Sequence, residues 1–111
     1  METSRSPARI IAALAALAQD HRLAAYRLLV EAGEDGLAAG DVAARLGLPA
    51  SSLSFHLAQL ERSGLVRRVR AGRSLVYSAD HGEMNGLIAY LTENCCGGAE
   101  SCAPADERNV A

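Results

Sequence analysis

The sequence predicts a small, mainly helical α+β domain. Three observations support this fold class: apolar residues recur at helical spacing up to about residue 60, the period changes to that of β-strands near residue 65, and helical spacing returns after residue 80. The chain has 111 residues, half of them apolar, which suits one domain with a packed core. We expect residues 1–94 to form this domain, and residues 95–111, which are polar after a Gly-Gly pair, to form a flexible tail.

The first two helices are predicted from apolar spacing and from the residues that end each segment. The first helix carries Pro7 in its first turn, and its apolar stripe is Ile10, Ile11, Leu14 and Leu17. The second helix is predicted at about 21–32, with Asp20 as the N-cap and Gly33 after its last turn. Because this helix is apolar nearly all round, including at Leu23 and Val30, it should be central to the core.

Two shorter segments follow a turn at residues 34–36. A helix at about 40–46, with Val42, Ala43 and Leu46 facing inward, should stop at Gly47. The next helix, at about 50–63, has a buried stripe of Leu53, Leu57 and Leu60, and Gly64 ends it.

The β-rich runs 65–70 and 73–77 are joined by Ala71-Gly72 and predict a hairpin. A last helix is expected at about 82–94, where the apolar stripe is Met84, Leu87, Ile88 and Leu91. Two helices with a short glycine-containing turn, followed by a basic hairpin, are typical of a winged helix-turn-helix. The first and last helices carry more apolar surface than one core of about 90 residues should need, so we expect them to form a homodimer interface.

Charge is divided unevenly along the chain, although the formal net charge is only −2. Residues 45–78 contain six arginines and one acid, a local charge of +5, whereas residues 81–111 contain one arginine and five acids, a local charge of −4. The positive segment coincides with the predicted helix-turn-helix and hairpin, so a polyanion such as DNA should bind there.

No apolar run approaches 18 residues, so the sequence predicts no membrane span and no membrane partner. The alanine-rich run at 10–18 is interrupted by polar residues 19–22 before a signal-peptide cleavage site could follow, so we expect a cytoplasmic protein.

Four segments of the chain resemble the ArsR/SmtB metalloregulators, and the resemblance covers about residues 8–92. They are Asp20-His-Arg-Leu-Ala-Ala-Tyr-Arg-Leu-Leu29, Ser54-Phe-His-Leu57, Glu61-Arg-Ser-Gly-Leu-Val66 and Gly72-Arg-Ser-Leu-Val-Tyr77. The most specific part is the Ser-x-His-Leu motif followed by the Ser-Gly-Leu-Val junction and the Gly-Arg wing. The resemblance implies a homodimeric repressor that binds double-stranded operator DNA and leaves it when a metal or metalloid binds.

The predicted DNA-reading surface lies on the fourth helix and on the hairpin. A recognition helix presents its N-terminal residues to base edges, and in this chain those residues are Ser51 and Ser52. Helix capping is an equally favoured alternative role for them. Gln59 lies two turns further on, where a long amide side chain can still reach the groove. Arg73 follows the wing glycine and should reach a phosphate or the minor groove.

The resemblance adds Ser54 and His56 as DNA contacts, with a structural hydrogen bond as the alternative for His56. Phe55 departs from the family, which usually has a basic residue there, and should touch a thymine methyl group or pack on the wing. The wing arginines alternate along one strand, so at least one of them should lie on a solvated face; they are Arg67, Arg68 and Arg70.

Three cysteines, Cys95, Cys96 and Cys102, lie within eight residues after the last helix. An odd number so close together is unlike a secreted disulfide framework, and in a reducing compartment it indicates metal or redox chemistry. Gly97-Gly98 gives the backbone the freedom to bring Cys102 back towards the other two. Zinc prefers four ligands, whereas trivalent arsenic or antimony is satisfied by three thiolates, so As(III) or Sb(III) is the expected effector.

Sites known from the resembled family are incomplete in this chain. The arsenic site on the first helix of the helix-turn-helix needs cysteines, but Ala38, Gly40 and Ala43 occupy that stretch. Asp80-His81 resembles the start of a zinc site on the last helix, but no second histidine follows, so we expect His81 only to begin the helix. The sensor site is therefore expected in the tail.

Several functions remain open at this point. The effector of the same regulator could be zinc, cadmium, mercury or an oxidant, and a disulfide between Cys96 and Cys102 is geometrically possible, whereas adjacent cysteines lie too close for one. A small thiol metal carrier is a different class, but it leaves the basic wing unexplained. We expect no enzyme activity, because a thiol enzyme would need a βαβ pattern and basic residues near the cysteines, and the sequence has neither.

Overall fold

The computed structural model describes residues 6–93, which form five α-helices and one three-stranded antiparallel sheet. The elements in chain order are α1 (Pro7–Leu17), α2 (Asp20–Ala32), β1 (Leu37–Ala38), α3 (Ala39–Leu46), α4 (Ala50–Arg62), β2 (Val66–Ala71), β3 (Ser74–Ala79) and α5 (His81–Thr92). A single 3-10 turn, Gly33–Asp35, precedes β1. The helices α3 and α4 with the β2–β3 hairpin confirm the predicted mainly helical, winged helix-turn-helix fold.

Both N-terminal helices begin at a side-chain cap. Ser6 Oγ accepts a hydrogen bond from the backbone N–H of Arg9 at 3.2 Å, with Pro7 as the first helical residue. In α2 the cap is Gln19, whose Oε1 accepts from the backbone N–H of Arg22 at 3.0 Å, so the prediction of Asp20 as N-cap is wrong. Asp20 is instead the first helical residue, where its carboxylate is stabilised by the positive end of the helix dipole.

The core lies between α2, α3, α4 and the sheet. Its largest fully buried side chains are Leu29, Leu53, Leu57, Leu60, Leu65 and Val42. The predicted stripe of α4 is therefore confirmed. The expectation for α2 is only partly correct: Tyr26 and Leu29 are buried, but Leu23 and Val30 are 46% and 40% exposed, because only one face of the helix packs on the core. Leu46 of α3 is half-buried.

The sheet has the strand order β1-β3-β2, and all pairings are antiparallel. The prediction missed β1, because a strand of two residues is too short to show alternation. It enters the sheet at Gly36, whose φ is +67° and whose Cβ, if it had one, would collide with the carbonyl oxygen of Tyr77. The hairpin turn is Gly72-Arg73, one residue later than predicted, and Ala71 pairs with Ser74.

The terminal helices α1 and α5 pack against each other. Half of the stripe predicted for dimerisation is used within this protomer: Ile10 and Leu87 are 4% exposed, and Leu17 and Met84 are half-buried. The other four side chains face outwards and are 42–64% exposed; they are Ile11, Leu14, Ile88 and Leu91. Within residues 6–93, the helices are all too short or too polar to cross a bilayer.

Candidate nucleic-acid interface

The buried stripe of α4 leaves its opposite face uncovered. A left-handed Gly47, with φ +67°, ends α3 and redirects the chain into Pro49, the N-cap of α4. Pro49 makes no side-chain cap bond, and neither Ser51 nor Ser52 occupies the capping position. Their hydroxyls and that of Ser54 are exposed on the first turns of the helix. The geometry therefore leaves these serines available for the DNA contacts predicted for them.

Phe55 lies on the same exposed face. Its side chain is 58% exposed, and its ring meets that of His56 edge-on, with the ring centroids 5.7 Å apart. An apolar ring at this exposure suits contact with a thymine methyl group, one of the two roles expected for it.

His56 is half-buried and lies against α2. Its Nδ1 is 3.3 Å from Nη1 of Arg22, and its ring centroid is 5.6 Å from that of His21. Burial lowers the pKa of His56 below its ordinary value, and the positive charge of Arg22 and then that of His21 lower it further. The structural hydrogen bond anticipated for His56 is thus present, and a ring so placed can still contact DNA through its second nitrogen.

Gln59 lies towards α1 rather than with the exposed first turn. It lines an open cavity of about 320 Å³ between α1, α2 and α4, together with Arg22 and Arg62. The alanines of α1 make this space, because Ala12, Ala15 and Ala16 leave it unfilled. Gln59 therefore lies on the side of α4 that faces α1, and a contact with the DNA groove would have to be made from that side.

The wing, which is the β2–β3 hairpin, carries paired and unpaired arginines. Arg67 lies 3.7 Å from a carboxylate oxygen of Asp80, and Arg68 lies 3.5 Å from one of Glu61. Arg70 and Arg73 are exposed and make no ion pair within residues 6–93, and Arg73 is part of the turn at the hairpin tip. Two wing guanidinium groups therefore have no carboxylate partner in the described part of the chain, which leaves them available to a phosphate.

The predicted sensor residues Cys95, Cys96 and Cys102 lie outside the described residues. In the described part of the chain, no group of three or more His, Cys, Asp and Glu side chains is arranged to hold a metal ion. Asp80 is the N-cap of α5 and accepts from the backbone N–H of Glu83 at 3.0 Å, and His81 is the first residue of that helix, as expected.

The sequence assigned no role to Arg22. The residue lies in a segment that carries the family resemblance, but apolar spacing within one helix cannot show a contact between α2 and α4. Its bond to His56 emerges only from the packing of the two helices.

Comparisons with known proteins agree with this geometry. A helix-turn-helix domain family matches residues 17–69, the segment that contains α2, α3 and α4. The transcriptional activator HlyU of Vibrio cholerae is 30% identical over 95 residues, which cover 86% of this chain and 85% of that protein.

Two solved structures share the fold. An ArsR-like transcriptional regulator from Rhodococcus sp. RHA1 is 26% identical, with a TM-score of 0.68 over 92% of this chain and 93% of that one. A possible transcriptional regulator for arsenical resistance is 29% identical, with a TM-score of 0.62 over 70% and 78% of the two chains. The wing, the exposed face of α4 and these relatives together place the chain in the ArsR/SmtB family of winged-helix, DNA-binding transcriptional regulators.

Proposed function

We propose that the protein is a homodimeric repressor that binds an inverted repeat in operator DNA and is released when arsenite or antimonite binds to Cys95, Cys96 and Cys102. The observation that carries the proposal is the position of the three cysteines in the sequence, which begin two residues after Glu93, beyond the end of α5. A ligand bound by these cysteines would act next to α5, whose outward apolar face belongs to the proposed dimer interface.

The uncovered faces of α1 and α5 support the homodimer. Ile11 and Leu14 on α1 and Ile88 and Leu91 on α5 form exposed apolar pairs at helical spacing, on two helices that pack together. A second copy of the same face would bury all four pairs across a two-fold axis. Two recognition helices would then meet successive major grooves about 34–36 Å apart.

The chemistry of the cysteines supports a thiophilic effector. Three soft thiolates complete the coordination of trivalent arsenic or antimony, whereas zinc and cadmium favour a fourth ligand. Within residues 6–93 no group of three or more His, Cys, Asp and Glu side chains is arranged to hold a metal ion, so the three cysteines remain the candidate ligands. One structure with this fold is described as a possible transcriptional regulator for arsenical resistance, which supports the choice of arsenite as the effector to test first.

The direct test is a titration of effectors against a protein–DNA complex. A duplex recovered by selection from a random pool serves as operator, and arsenite, zinc, cadmium and peroxide are added in separate series. Release at the lowest concentration by arsenite supports the proposal. Release by zinc or cadmium would assign the site to those ions, and release by peroxide would assign it to a thiol switch. Failure to select any duplex would instead favour a thiol metal carrier.

Transcription from the selected operator tests the direction of regulation. HlyU is a transcriptional activator, so DNA binding alone does not decide between activation and repression. We expect transcription to fall when the protein is added and to recover with arsenite. An increase on addition of the protein would identify an activator.

A further inference from the structure

Arg22, on α2, makes contacts with both α1 and α4, the predicted recognition helix. From the first turn of α2 its Nε donates a hydrogen bond to the carbonyl oxygen of Ala16, at the end of α1, at 2.9 Å. Its Nη1 lies 3.3 Å from Nδ1 of His56 on α4. Arg22 is half-buried, and its backbone N–H is held by Gln19, so the side chain starts from a fixed position.

The chemistry of this bond determines the state of the histidine. A guanidinium group has only donors, so the partner nitrogen of His56 must be the acceptor. A neutral imidazole that accepts at Nδ1 carries its proton on Nε2. The alternative tautomer, and the doubly protonated ring, would each direct an N–H at the N–H of Arg22.

We propose that Arg22 is a positioning residue that holds His56 as the neutral Nε2–H tautomer, so that His56 presents a single donor to DNA. Within residues 6–93 the Nε2 atom makes no hydrogen bond, so this is the nitrogen that remains for a ligand. The DNA-facing part of this inference rests on the proposed reading surface of α4.

A donor at this position selects its partner. Nε2–H can bond to a phosphate oxygen, or to N7 or O6 of guanine, N7 of adenine or O4 of thymine in the major groove. It cannot accept from the amino groups of cytosine or adenine. The site therefore recognises acceptors, and in the homodimer proposed above there would be one such acceptor in each half of the inverted repeat.

The charges around His56 stabilise its neutral form. From α2 it faces Arg22 and His21, and from its own helix it contacts Phe55. The contribution of α1 is the carbonyl of Ala16, which accepts a hydrogen bond from Arg22. Among residues 6–93, no carboxylate takes part in these contacts. Acidification would protonate Nδ1, abolish the bond to Arg22 and free the ring to turn away from the position it holds at neutral pH.

Nitrogen-15 NMR of the histidine rings tests the tautomer without DNA. The wild-type protein at about pH 7.5 should show His56 as a single Nε2–H tautomer. In Arg22→Gln the side-chain amide can accept as well as donate, so the two tautomers should mix and the ring shifts should move. Arg62→Gln is the matched control, because it removes another arginine from the same cavity and should leave the His56 shifts unchanged. A mixed or Nδ1–H ring in the wild type, or unchanged shifts in Arg22→Gln, would overturn the proposal.

DNA binding tests the positioning role. On a duplex selected from a random pool, Arg22→Gln should bind about tenfold more weakly, whereas its affinity for random duplex should change little. The preference of the wild type for its selected duplex should be constant near pH 7.5 and fall only below about pH 6.5, because the pKa of His56 is lowered from its ordinary value. The preference of His56→Ala should not vary with pH. Arg22→Lys keeps a donor-only cation and should retain the tautomer, which separates a positioning effect from misfolding.

The outcomes distinguish this inference from the proposed function. If the tautomer is as expected but Arg22→Gln binds the selected duplex as tightly as the wild type, the positioning role is wrong and the regulator remains. If the wild type selects no duplex, the proposed function fails, whereas the NMR result still stands for the free protein.

Discussion

Arg9 donates two hydrogen bonds to the carboxylate of Glu83, from Nε at 2.8 Å and from Nη2 at 3.0 Å, and so joins α1 to α5. Glu83 lies in the first turn of α5, behind the N-cap Asp80. The same carboxyl group lies over Gly64, where an added Cβ would come within 3.2 Å of Glu83 Oε2. One acidic side chain thus joins the last helix to the first and occupies the space beside Gly64, at the junction between α4 and β2.

Replacing Glu83 by glutamine tests this link. Glu83→Gln keeps the shape of the side chain but removes its charge, so it should lower the free energy of unfolding by about 1 kcal/mol; a larger loss is not expected, because the Arg9 side chain is 55% exposed. The control is Glu61→Gln, because the Glu61 side chain that pairs with Arg68 is 36% exposed, against 13% for Glu83, and the substitution should change stability by less than about 0.5 kcal/mol. Urea denaturation measures both. Equal effects would mean that the Arg9–Glu83 pair is an ordinary surface pair.

The dimer interface can be tested on α5. Ile88 is 51% and Leu91 55% exposed. A carboxylate at either position would be buried without a partner in the expected dimer, so Ile88→Glu and Leu91→Glu should each weaken self-association roughly hundredfold. Val69→Glu is the control, because Val69 is 60% exposed but lies on the wing. Sedimentation equilibrium measures the dissociation constants. A wild-type protein that is monomeric at micromolar concentration would contradict the interface.

Arg73 at the tip of the wing should act through phosphate. Arg73→Ala should weaken binding to operator and random duplex by similar factors and reduce the slope of log K against log salt by about one unit per contact. Arg67→Ala is the matched control, because Arg67 already lies 3.7 Å from Asp80 and should contribute little to that slope. Binding isotherms at four or more salt concentrations give the slopes. An unchanged slope for Arg73→Ala would make Arg73 a solvated turn residue.

Two glycines of the sheet should respond differently to alanine. Gly72 has φ +65° and open space around it, so Gly72→Ala should cost about 1 kcal/mol of stability from backbone conformation alone. Gly36 has a similar φ of +67°, but its new methyl group would collide with the backbone of β3 at Tyr77. Gly36→Ala should therefore cost about 3 kcal/mol or more. Thermal unfolding ranks the two, and equal losses would refute the contact with Tyr77.

The spacing of apolar residues predicted those helices and strands that bury a single face. The stripe at Leu53, Leu57 and Leu60 identified α4, and the change of period identified the hairpin, because burial of one face imposes spacing directly. What the pattern could not give depends on contacts between elements. Ile10 and Ile11 are adjacent and equally apolar, yet only Ile10 is buried in the protomer.

Polar contacts between different helices and strands could not be predicted from the sequence either. Gln19 displaced Asp20 as the cap because a longer amide can reach the same N–H group, and propensity ranks caps without deciding between neighbours. Arg22 meets His56 across 34 positions of the chain, and no local rule relates such residues. The serines of α4 and Arg73 remain predictions that the exposed geometry permits.

The cysteines offer a way to separate sensing from DNA binding. Cys102 follows Gly97-Gly98 and is distant in sequence from residues 50–77, so Cys102→Ser should leave the affinity of the effector-free protein for operator unchanged. Arsenite would retain at most two sulfur ligands and should bind far more weakly, because a hydroxyl is a poor substitute for a soft thiolate. Cys95→Ser and Cys96→Ser should behave alike, and Ser101→Ala, which alters the neighbouring position, should respond like the wild type.

The readout is release from operator as arsenite is added. Under the proposed function, arsenite can displace the regulator only if it binds the DNA-free conformation more tightly than the DNA-bound one, so binding at the cysteines must be coupled to the recognition helices. The serine variants should stay on DNA at arsenite concentrations that release the wild type, since the loss of one thiolate removes the ligand whose binding drives the change. If Cys102→Ser left the operator at wild-type arsenite concentrations, the three-sulfur site would be wrong, and a two-cysteine site at Cys95 and Cys96 would replace it.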